Sequence, residues 1–327
     1  DLHRVDRRQR QMCIRDRNRR DHGGGLDAAL AQYGGKRSNW LDLSTGINPN
    51  PYTTPALEPS SWRNLPDYEA NVALCTAARK FWNVPDSADI LAVPGCSSAI
   101  AQIPSLQPAS LVEIATRTYN EHAAAFLFHG WDTHPRLISP QARVVVHPNN
   151  PTGEFHSKIT AAPLTVIDES FCDVTPEKSY IAKAALPGHI ILKSFGKFWG
   201  LAGLRLGFAI GDPALIDPLR QKLGPWPVSG LALQVGTQAL NDHAWAERTR
   251  QRLTEDAIYL DATMAKIGAT PMGDCPLFRT YEVKSANELQ RQMAQSHIWS
   301  RIFPYSKKWI RLGLPPQSDW GRLQDAL

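Results

Sequence analysis

Three side chains with complementary chemistry lie close together between two apolar runs of the sequence. Lys197 follows the strand-like run 190–192, with Ser194 three residues before it and Arg205 eight residues after it. An amine in a turn of small residues between apolar segments is poorly solvated, which lowers its pKa toward the nucleophilic neutral form. A hydroxyl and a guanidinium beside that amine suit a phosphate. An aldehyde cofactor that carries a phosphate would fit all three groups.

A second candidate for the phosphate site is the turn that contains Cys96 and Ser97. The turn follows the strand-like segment 90–93 and a glycine, and it opens a predicted helix. Free N–H groups at the start of a helix favour an anion. Such a turn is weak evidence alone, but Ser194 and Arg205 already require a phosphate site.

Three more strand-like segments end beside a side chain that suits a flat, charged ring. Tyr119 follows segment 111–115 and could stack on that ring, although tyrosine is also a common packing residue. Asn150 follows segment 143–147 and could donate its amide hydrogen to a phenolate oxygen. Asp168 follows the next apolar run, where its carboxylate could keep a pyridine nitrogen protonated. A helix N-cap is the alternative role for Asp168.

Strands separated by helical stretches predict an α/β protein with a mainly parallel central sheet and helices on both faces. Residues 268–327 differ and predict a small α+β domain. The predicted parts are an Arg-rich tail (1–20), an N-terminal arm (21–55) that joins the small domain and the active site, a large domain (56–240) and a small domain (241–327). Only ten residues separate Gly153 from Leu164, so we expect a very short crossover helix or none.

Arg301 and Arg311 lie on neighbouring predicted strands of the small domain, near residues 298–302 and 309–312. Two guanidiniums that converge on one cleft would suit a substrate with two anionic groups. Exposed arginines on strands are also common, so this assignment and an ordinary surface position both remain open.

The positive charge of the chain is concentrated at its N-terminus. The formal net charge is +5, and residues 1–20 contain eight arginines and three aspartates, so the remainder is neutral. We expect this tail to be disordered. Weak binding of nucleic acid through the tail is a hypothesis from a different functional class, whereas we expect no specific nucleic acid for the folded body. The string from Met12 to Arg17 also resembles read-through of a sequencing adaptor, which would make the tail non-native.

The remaining composition gives no sign of a membrane or metal partner. No run of 18 apolar residues and no apolar segment near the start are present, so we expect a soluble, cytoplasmic protein. The five cysteines lie far apart without a C-x-x-C pair, which predicts neither a zinc site nor a disulfide framework.

The segment S-x-x-K-x-x-G-L-A-G-x-R-x-G, which begins at Ser194, resembles the lysine segment of fold type I pyridoxal-phosphate enzymes. The resemblance extends from His22 to Leu327 and implies the aspartate-aminotransferase-like fold and pyridoxal 5'-phosphate as cofactor. It implies that Lys197 carries the cofactor as a Schiff base, Asp168 pairs with the pyridine nitrogen, Asn150 bonds the ring hydroxyl and Tyr119 stacks on the ring. It further implies that the cofactor phosphate is held by Cys96, Ser97, Ser194 and Arg205.

Within this superfamily the chain resembles the histidinol-phosphate aminotransferase-like group, and more specifically the threonine-phosphate decarboxylases of cobalamin biosynthesis. The motifs are H-G-G from His22, D-L-S-T-G-I-N-P, T-Y-x-E-H and W-x-R-x-G-L-P. The resemblance implies a homodimer that converts L-threonine O-3-phosphate to (R)-1-amino-2-propanol O-2-phosphate. Implied contacts with this small phosphorylated amino acid substrate are His22, Gly23, Gly46, Asn48, Arg301 and, for the α-carboxylate, Arg311.

Two positions depart from the aminotransferase pattern. Phe171 replaces a tyrosine that commonly bonds the ring oxygen, and Leu65 replaces one that reaches the cofactor phosphate of the neighbouring subunit. Both changes favour the decarboxylase interpretation. An aminotransferase that acts on a phosphorylated amino substrate remains the alternative, because it would share every cofactor contact.

Overall fold

The computed structural model describes residues 22–54 and 56–327. The predictions for the tail, namely disorder and weak contact with polyanions, lie outside these residues. No helix in the described part of the chain combines the length and the apolar character that crossing a bilayer requires.

The chain alternates between strands and helices along most of its length. The strands are β1 (Leu41–Asp42), β2 (Asp89–Val93), β3 (Leu111–Ile114), β4 (Asp132–His134), β5 (Ala142–Val146), β6 (Leu164–Asp168), β7 (His189–Ser194), β8 (Gly207–Gly211), β9 (Thr270–Met272), β10 (Phe278–Glu282), β11 (Ile298–Trp299), β12 (Arg301–Phe303) and β13 (Ser306–Gly313). The helices are α1 (Leu26–Tyr33), α2 (Ser60–Arg63), α3 (Tyr68–Trp82), α4 (Cys96–Gln102), α5 (Asn120–Phe128), α6 (Pro213–Leu223), α7 (Gly230–Asn241), α8 (His243–Ala265), α9 (Ala286–Gln295) and α10 (Trp320–Asp325).

The larger sheet of the described residues has seven strands in the order β2-β8-β7-β6-β5-β3-β4. Neighbours from β7 to β4 run parallel, whereas β8 pairs antiparallel with both β7 and β2. The predicted mainly parallel sheet is therefore confirmed. Because parallel strands end at the same edge, the segments after β3, β5, β6 and β7 meet there.

Apolar cores cover both faces of this sheet. In β7, Ile191 packs into one core and Ile190 and Leu192 into the other, as alternation along a strand requires. Helices α3, α7 and α8 cover the first face, and α4 and α6 cover the second. The predicted helices on both faces are thus present, although the connection from β5 to β6 contains no helix, as its length indicated.

The smaller antiparallel sheet has the order β12-β13-β10-β9. The sequence predicted one strand from Ile298 to Ile302, but the structure divides this segment at the buried Ser300. The first part, β11, pairs with β1 of the arm, and the second, β12, pairs with β13. The segment is divided because its two parts pair with different strands.

The arm is hydrogen-bonded at both ends. Leu43 N donates to Trp299 O at 2.7 Å near the small sheet, whereas Asn48 N donates to Lys197 O at 3.0 Å and Tyr52 N to Trp199 O at 2.9 Å. The arm therefore connects the small sheet to the lysine segment. The exact domain boundaries stay a prediction.

Candidate active site

A cavity of about 120 Å³ lies at the carboxyl edge of the large sheet. The segments that follow β3, β5, β6 and β7 supply most of its lining, because this edge is where parallel strands converge. The eight predicted cofactor contacts all line it: Cys96, Ser97, Tyr119, Asn150, Asp168, Ser194, Lys197 and Arg205.

The amine of Lys197 has a lowered basicity. Burial lowers its pKa to about 8, and the positive charges of Arg311 and Arg205 act in the same direction, whereas Asp168 opposes them. The Nζ atom lies 5.1 Å from the ring centre of Phe171. A considerable fraction of this amine is therefore neutral near physiological pH and can act as a nucleophile.

The carboxylate of Asp168 is buried, and both of its oxygens are hydrogen-bonded. Its Oδ2 lies 2.8 Å from His122 Nε2, and its Oδ1 accepts from the backbone N and the hydroxyl of Ser170 at 3.0 and 2.6 Å. Burial alone would raise the pKa of Asp168, but the hydrogen bonds and charge from His122 and Ser170 outweigh burial and lower it. The site thus contains an ionised carboxylate at neutral pH.

Sequence reasoning assigned no role to His122 or Ser170. A usable signal for His122 was its place three residues after Tyr119, which directly precedes α5, since residues three apart at the start of a helix lie close together. The two rings pack edge to face with centroids 5.9 Å apart.

The other end of the small cavity can bind an anion. Ser97, Ser194 and Arg205 line it, and the guanidinium of Arg205 lies so close to Gly95 that a Cβ there would come within 2.6 Å of Nη2. The thiol of Cys96 points away and donates to Lys193 O at 3.0 Å, and burial raises its pKa to about 12. Cys96 can therefore serve an anion through its backbone, not through its thiol.

Arg311 and Asn150 form a pair at the border of the cavity. Arg311 Nη1 donates to Asn150 Oδ1, and Nη2 donates to Ser44 O at 2.6 Å. Because Oδ1 accepts from Arg311, the amide nitrogen of Asn150 is the atom that can donate to a ligand. Burial and the nearby charge of Arg301 lower the pKa of Arg311 to about 10.

A second cavity of about 460 Å³ adjoins the first, and the two share Tyr119, Asn150, Phe171 and Lys197 in their linings. Within it, Arg301 donates to His22 O, and His22 Nε2 lies 3.0 Å from Glu121 Oε1. Five of the six predicted substrate contacts line this cavity: His22, Gly23, Gly46, Arg301 and Arg311.

Comparisons with known proteins identify the family of this chain. The family described as aminotransferase class I and II matches residues 138–327. A threonine-phosphate decarboxylase of a Sinorhizobium species is 35% identical over 94% of this chain and 97% of that protein. The chain belongs to the class I and II aminotransferase family.

Another relative matches this chain over nearly its full length, and a solved structure shares its fold. A threonine-phosphate decarboxylase of Pseudomonas aeruginosa is 34% identical over 94% of this chain and 97% of that protein. The solved histidinol-phosphate aminotransferase of Sinorhizobium meliloti, in complex with pyridoxal-5'-phosphate, superposes with a TM-score of 0.75 at 18% identity. That superposition covers 93% of each chain and shows the shared fold.

One predicted substrate contact, Asn48, lies outside both cavities. Asn48 is buried; its amide nitrogen donates to Phe198 O at 2.8 Å, and its Oδ1 accepts from Arg252 Nη2 at 2.7 Å. This position does not agree with the predicted contact to the substrate. The side-chain amide instead bonds Phe198 O and Arg252, and the second bond holds the arm against α8.

Of the two positions that depart from the family pattern, only Phe171 lies at the site. Its ring packs edge to face on Phe278 with centroids 4.9 Å apart and lies beneath the amine of Lys197. It supplies an apolar surface where a tyrosine would supply a donor. Leu65 is exposed and lines neither cavity.

Proposed function

We propose that this protein uses pyridoxal 5'-phosphate to decarboxylate L-threonine O-3-phosphate to (R)-1-amino-2-propanol O-2-phosphate. The observation that carries the proposal is the pair of joined cavities, one matched to the cofactor and the other containing two arginines for a doubly anionic substrate. The near full-length similarity to two proteins named threonine-phosphate decarboxylase supports the same substrate. A homodimer and a place in cobalamin biosynthesis, which the family resemblance implies, are part of this proposal. So is a cytoplasmic location, which the composition predicts.

The small cavity offers a partner for each polar group of the cofactor. Ser97, Ser194 and Arg205 suit its phosphate, and the ionised Asp168 suits a protonated pyridine nitrogen. The free amide hydrogen atoms of Asn150 suit the ring oxygen. The close approach of Arg205 to Gly95, which no larger residue would allow, shapes the phosphate end. The residues present therefore fit the expected group.

When bound, pyridoxal phosphate accepts the electron pair that is released when a bond at the substrate Cα breaks. Asp168, which remains charged, would hold a proton on the pyridine nitrogen. Lys197, with a pKa of about 8, can be neutral, would hold the cofactor through its amine and can return a proton to the substrate Cα.

The substrate's two anionic groups match the two arginines of the larger cavity. Arg311 binds the α-carboxylate, and its contacts with Asn150 and Ser44 fix the orientation of its guanidinium. Arg301, which is anchored on His22 O, binds the phosphate. Binding energy from this remote phosphate can orient the carboxylate for loss.

An aminotransferase that acts on a phosphorylated amino substrate is the competing function, favoured by the family to which the chain belongs. Incubation of the purified protein with L-threonine O-3-phosphate and pyridoxal phosphate, without any 2-oxo acid, separates the two. Release of carbon dioxide supports decarboxylation. Transfer of the amino group to added 2-oxoglutarate, without carbon dioxide release, would overturn it.

A further inference from the structure

Three charged side chains are buried together beside the carboxyl ends of β6 and β7. Lys193 Nζ lies 2.7 Å from Glu169 Oε2 and 3.3 Å from Asp173 Oδ1, and none of the three side chains is more than 2% exposed. We call these residues the buried ion cluster. Burial alone would lower the pKa of Lys193, but Glu169 and Asp173 raise it above its ordinary value, so the amine stays protonated.

Each of two cluster residues is the chain neighbour of a residue in the small cavity. Glu169 directly follows Asp168, the last residue of β6, and Lys193 precedes Ser194 at the end of the adjacent strand β7. Asp168 and Ser194 line the cavity. Because successive residues of a strand point to opposite faces, Lys193 points away from the cavity. It faces the core that contains Trp82, with its Nζ 5.8 Å from the centre of that ring.

The cluster joins β6 and β7 to the elements around them. Glu169 N donates to Leu192 O at 2.9 Å, and Glu169 Oε2 accepts from the hydroxyl of Ser179 at 2.6 Å. Asp173 Oδ1 accepts from Trp82 Nε1 of α3 at 2.9 Å.

Two further contacts extend these connections. Arg250 Nε of α8 donates to Asp173 O at 2.9 Å. On the other side, Lys193 O accepts from the thiol of Cys96, which opens the turn at the phosphate end of the cavity.

Stability alone does not account for such a cluster. A buried ion pair is often no more stabilising than well-packed apolar side chains of similar volume, because desolvation offsets the attraction. Charged, directional contacts favour one arrangement of the groups that form them. Here that arrangement fixes the ends of β6 and β7, which carry Asp168 and Ser194.

We propose that Lys193, Glu169 and Asp173 are positioning residues for the cofactor, which keep the pyridine-nitrogen partner and the phosphate-binding segment at a fixed separation. The proposal rests on the proposed function, since it takes the small cavity as the site of pyridoxal phosphate. A displacement of about 1 Å between groups that bind one rigid ligand is enough to weaken its binding and its reaction markedly.

The test removes the charges of the cluster while keeping its shapes, in a variant with Lys193→Met, Glu169→Gln and Asp173→Asn. The matched control removes a second ion pair of the same sheet, Arg143 Nε to Glu113 Oε1 at 3.1 Å, with Arg143→Met and Glu113→Gln. That pair lies near the amino end of β5, away from the cavity.

Three quantities are measured for the parent and for each variant. They are the urea midpoint of the apoprotein, the Kd of pyridoxal phosphate from its visible absorbance, and the visible circular dichroism of the bound cofactor, which reports its orientation. A fourth protein, Lys193→Arg, retains the positive charge.

We expect the triple variant to match the control in urea midpoint, yet to bind the cofactor about tenfold or more weakly and with altered circular dichroism. The control should bind it with the parent Kd, and Lys193→Arg, which retains the positive charge, should bind it more tightly than the triple variant. A triple variant with the parent Kd and spectrum would overturn the positioning role while the proposed function stands. So would losses of midpoint and affinity that occur equally in the control. Failure of the parent itself to bind pyridoxal phosphate would overturn both proposals.

Discussion

His122 Nε2 lies 2.8 Å from Asp168 Oδ2, and the two side chains are only 2% and 3% exposed. This contact joins α5 to the end of β6 inside the fold. It lets a carboxylate remain ionised where burial alone would favour its protonated form. The charge that the proposed chemistry requires therefore depends on a residue outside the lysine segment.

Replacing His122 tests this dependence. We expect His122→Phe to raise the pKa of Asp168, because a hydrogen bond to its charged form is lost, and to reduce cofactor affinity about 10- to 100-fold. Titration with pyridoxal phosphate at several pH values measures both effects. His129→Phe, at the exposed end of the same helix, is the control. Equal affinities for the two variants would contradict the role of His122.

The lowered pKa of Lys197 predicts how the stability of the apoprotein varies with pH. The folded protein releases the Lys197 proton near pH 8 and the unfolded chain near 10.5, so the unfolded state binds more protons between these values. The free energy of unfolding should therefore rise with pH in this window, by up to about 3 kcal/mol relative to Lys197→Met. Urea unfolding of both proteins across the window checks the slope. A constant difference would show that the amine is not desolvated.

Covalent labelling should identify the reactive lysine directly. After incubation with pyridoxal phosphate and reduction with borohydride, we expect the adduct on Lys197, because its amine is the less basic one and lines the cavity. Lys193, four residues earlier, is an internal control whose amine is held by Glu169 and Asp173. Peptide mapping by mass spectrometry reads the result, and label on Lys193 would overturn the site assignment.

Arg301 should distinguish phosphorylated from plain substrates. A hydrogen bond to a charged group contributes about 1.5–3 kcal/mol, so Arg301→Met should raise the KM for threonine phosphate at least about tenfold. The kcat/KM for unphosphorylated threonine should change much less. Arg291→Met, an exposed position on α9, provides the matched control. An equal loss for both substrates would place Arg301 outside the phosphate subsite.

Gly46 lies where no side chain fits. A Cβ there would come within 2.8 Å of Phe278 Cδ1 and 2.9 Å of Phe171 Cε1. We expect Gly46→Ala to reduce the free energy of unfolding by about 1–3 kcal/mol. It should also impair turnover, because Phe171 lies against the amine of Lys197. In contrast, Gly321→Ala in α10 meets no heavy atom within 4 Å and should stabilise the protein slightly. Urea unfolding curves of both variants measure these changes. A Gly46→Ala variant with the parent free energy of unfolding would mean that the rings of Phe171 and Phe278 can move aside.

The predicted cofactor contacts line one cavity because most of them lie at or just beyond the carboxyl end of a strand, and parallel strands bring these ends to one edge of the sheet. His122 was missed because its partner depends on which side of α5 docks on the sheet. Asn48 lies outside both cavities for a similar reason, since its side-chain amide bonds Arg252, a residue far away in the sequence. Local patterns therefore locate the ends of elements, while pairings across long separations follow from the packed structure.

The arm that is hydrogen-bonded to both Trp299 and Lys197 limits how this chain can be cut or rearranged. A protease nick or a circular permutation between Trp40 and Tyr52 would release the lysine loop from the strand that neighbours Arg301. New termini for permuted or tagged forms of this protein should therefore lie outside residues 40–52, so that this part of the arm remains covalently continuous.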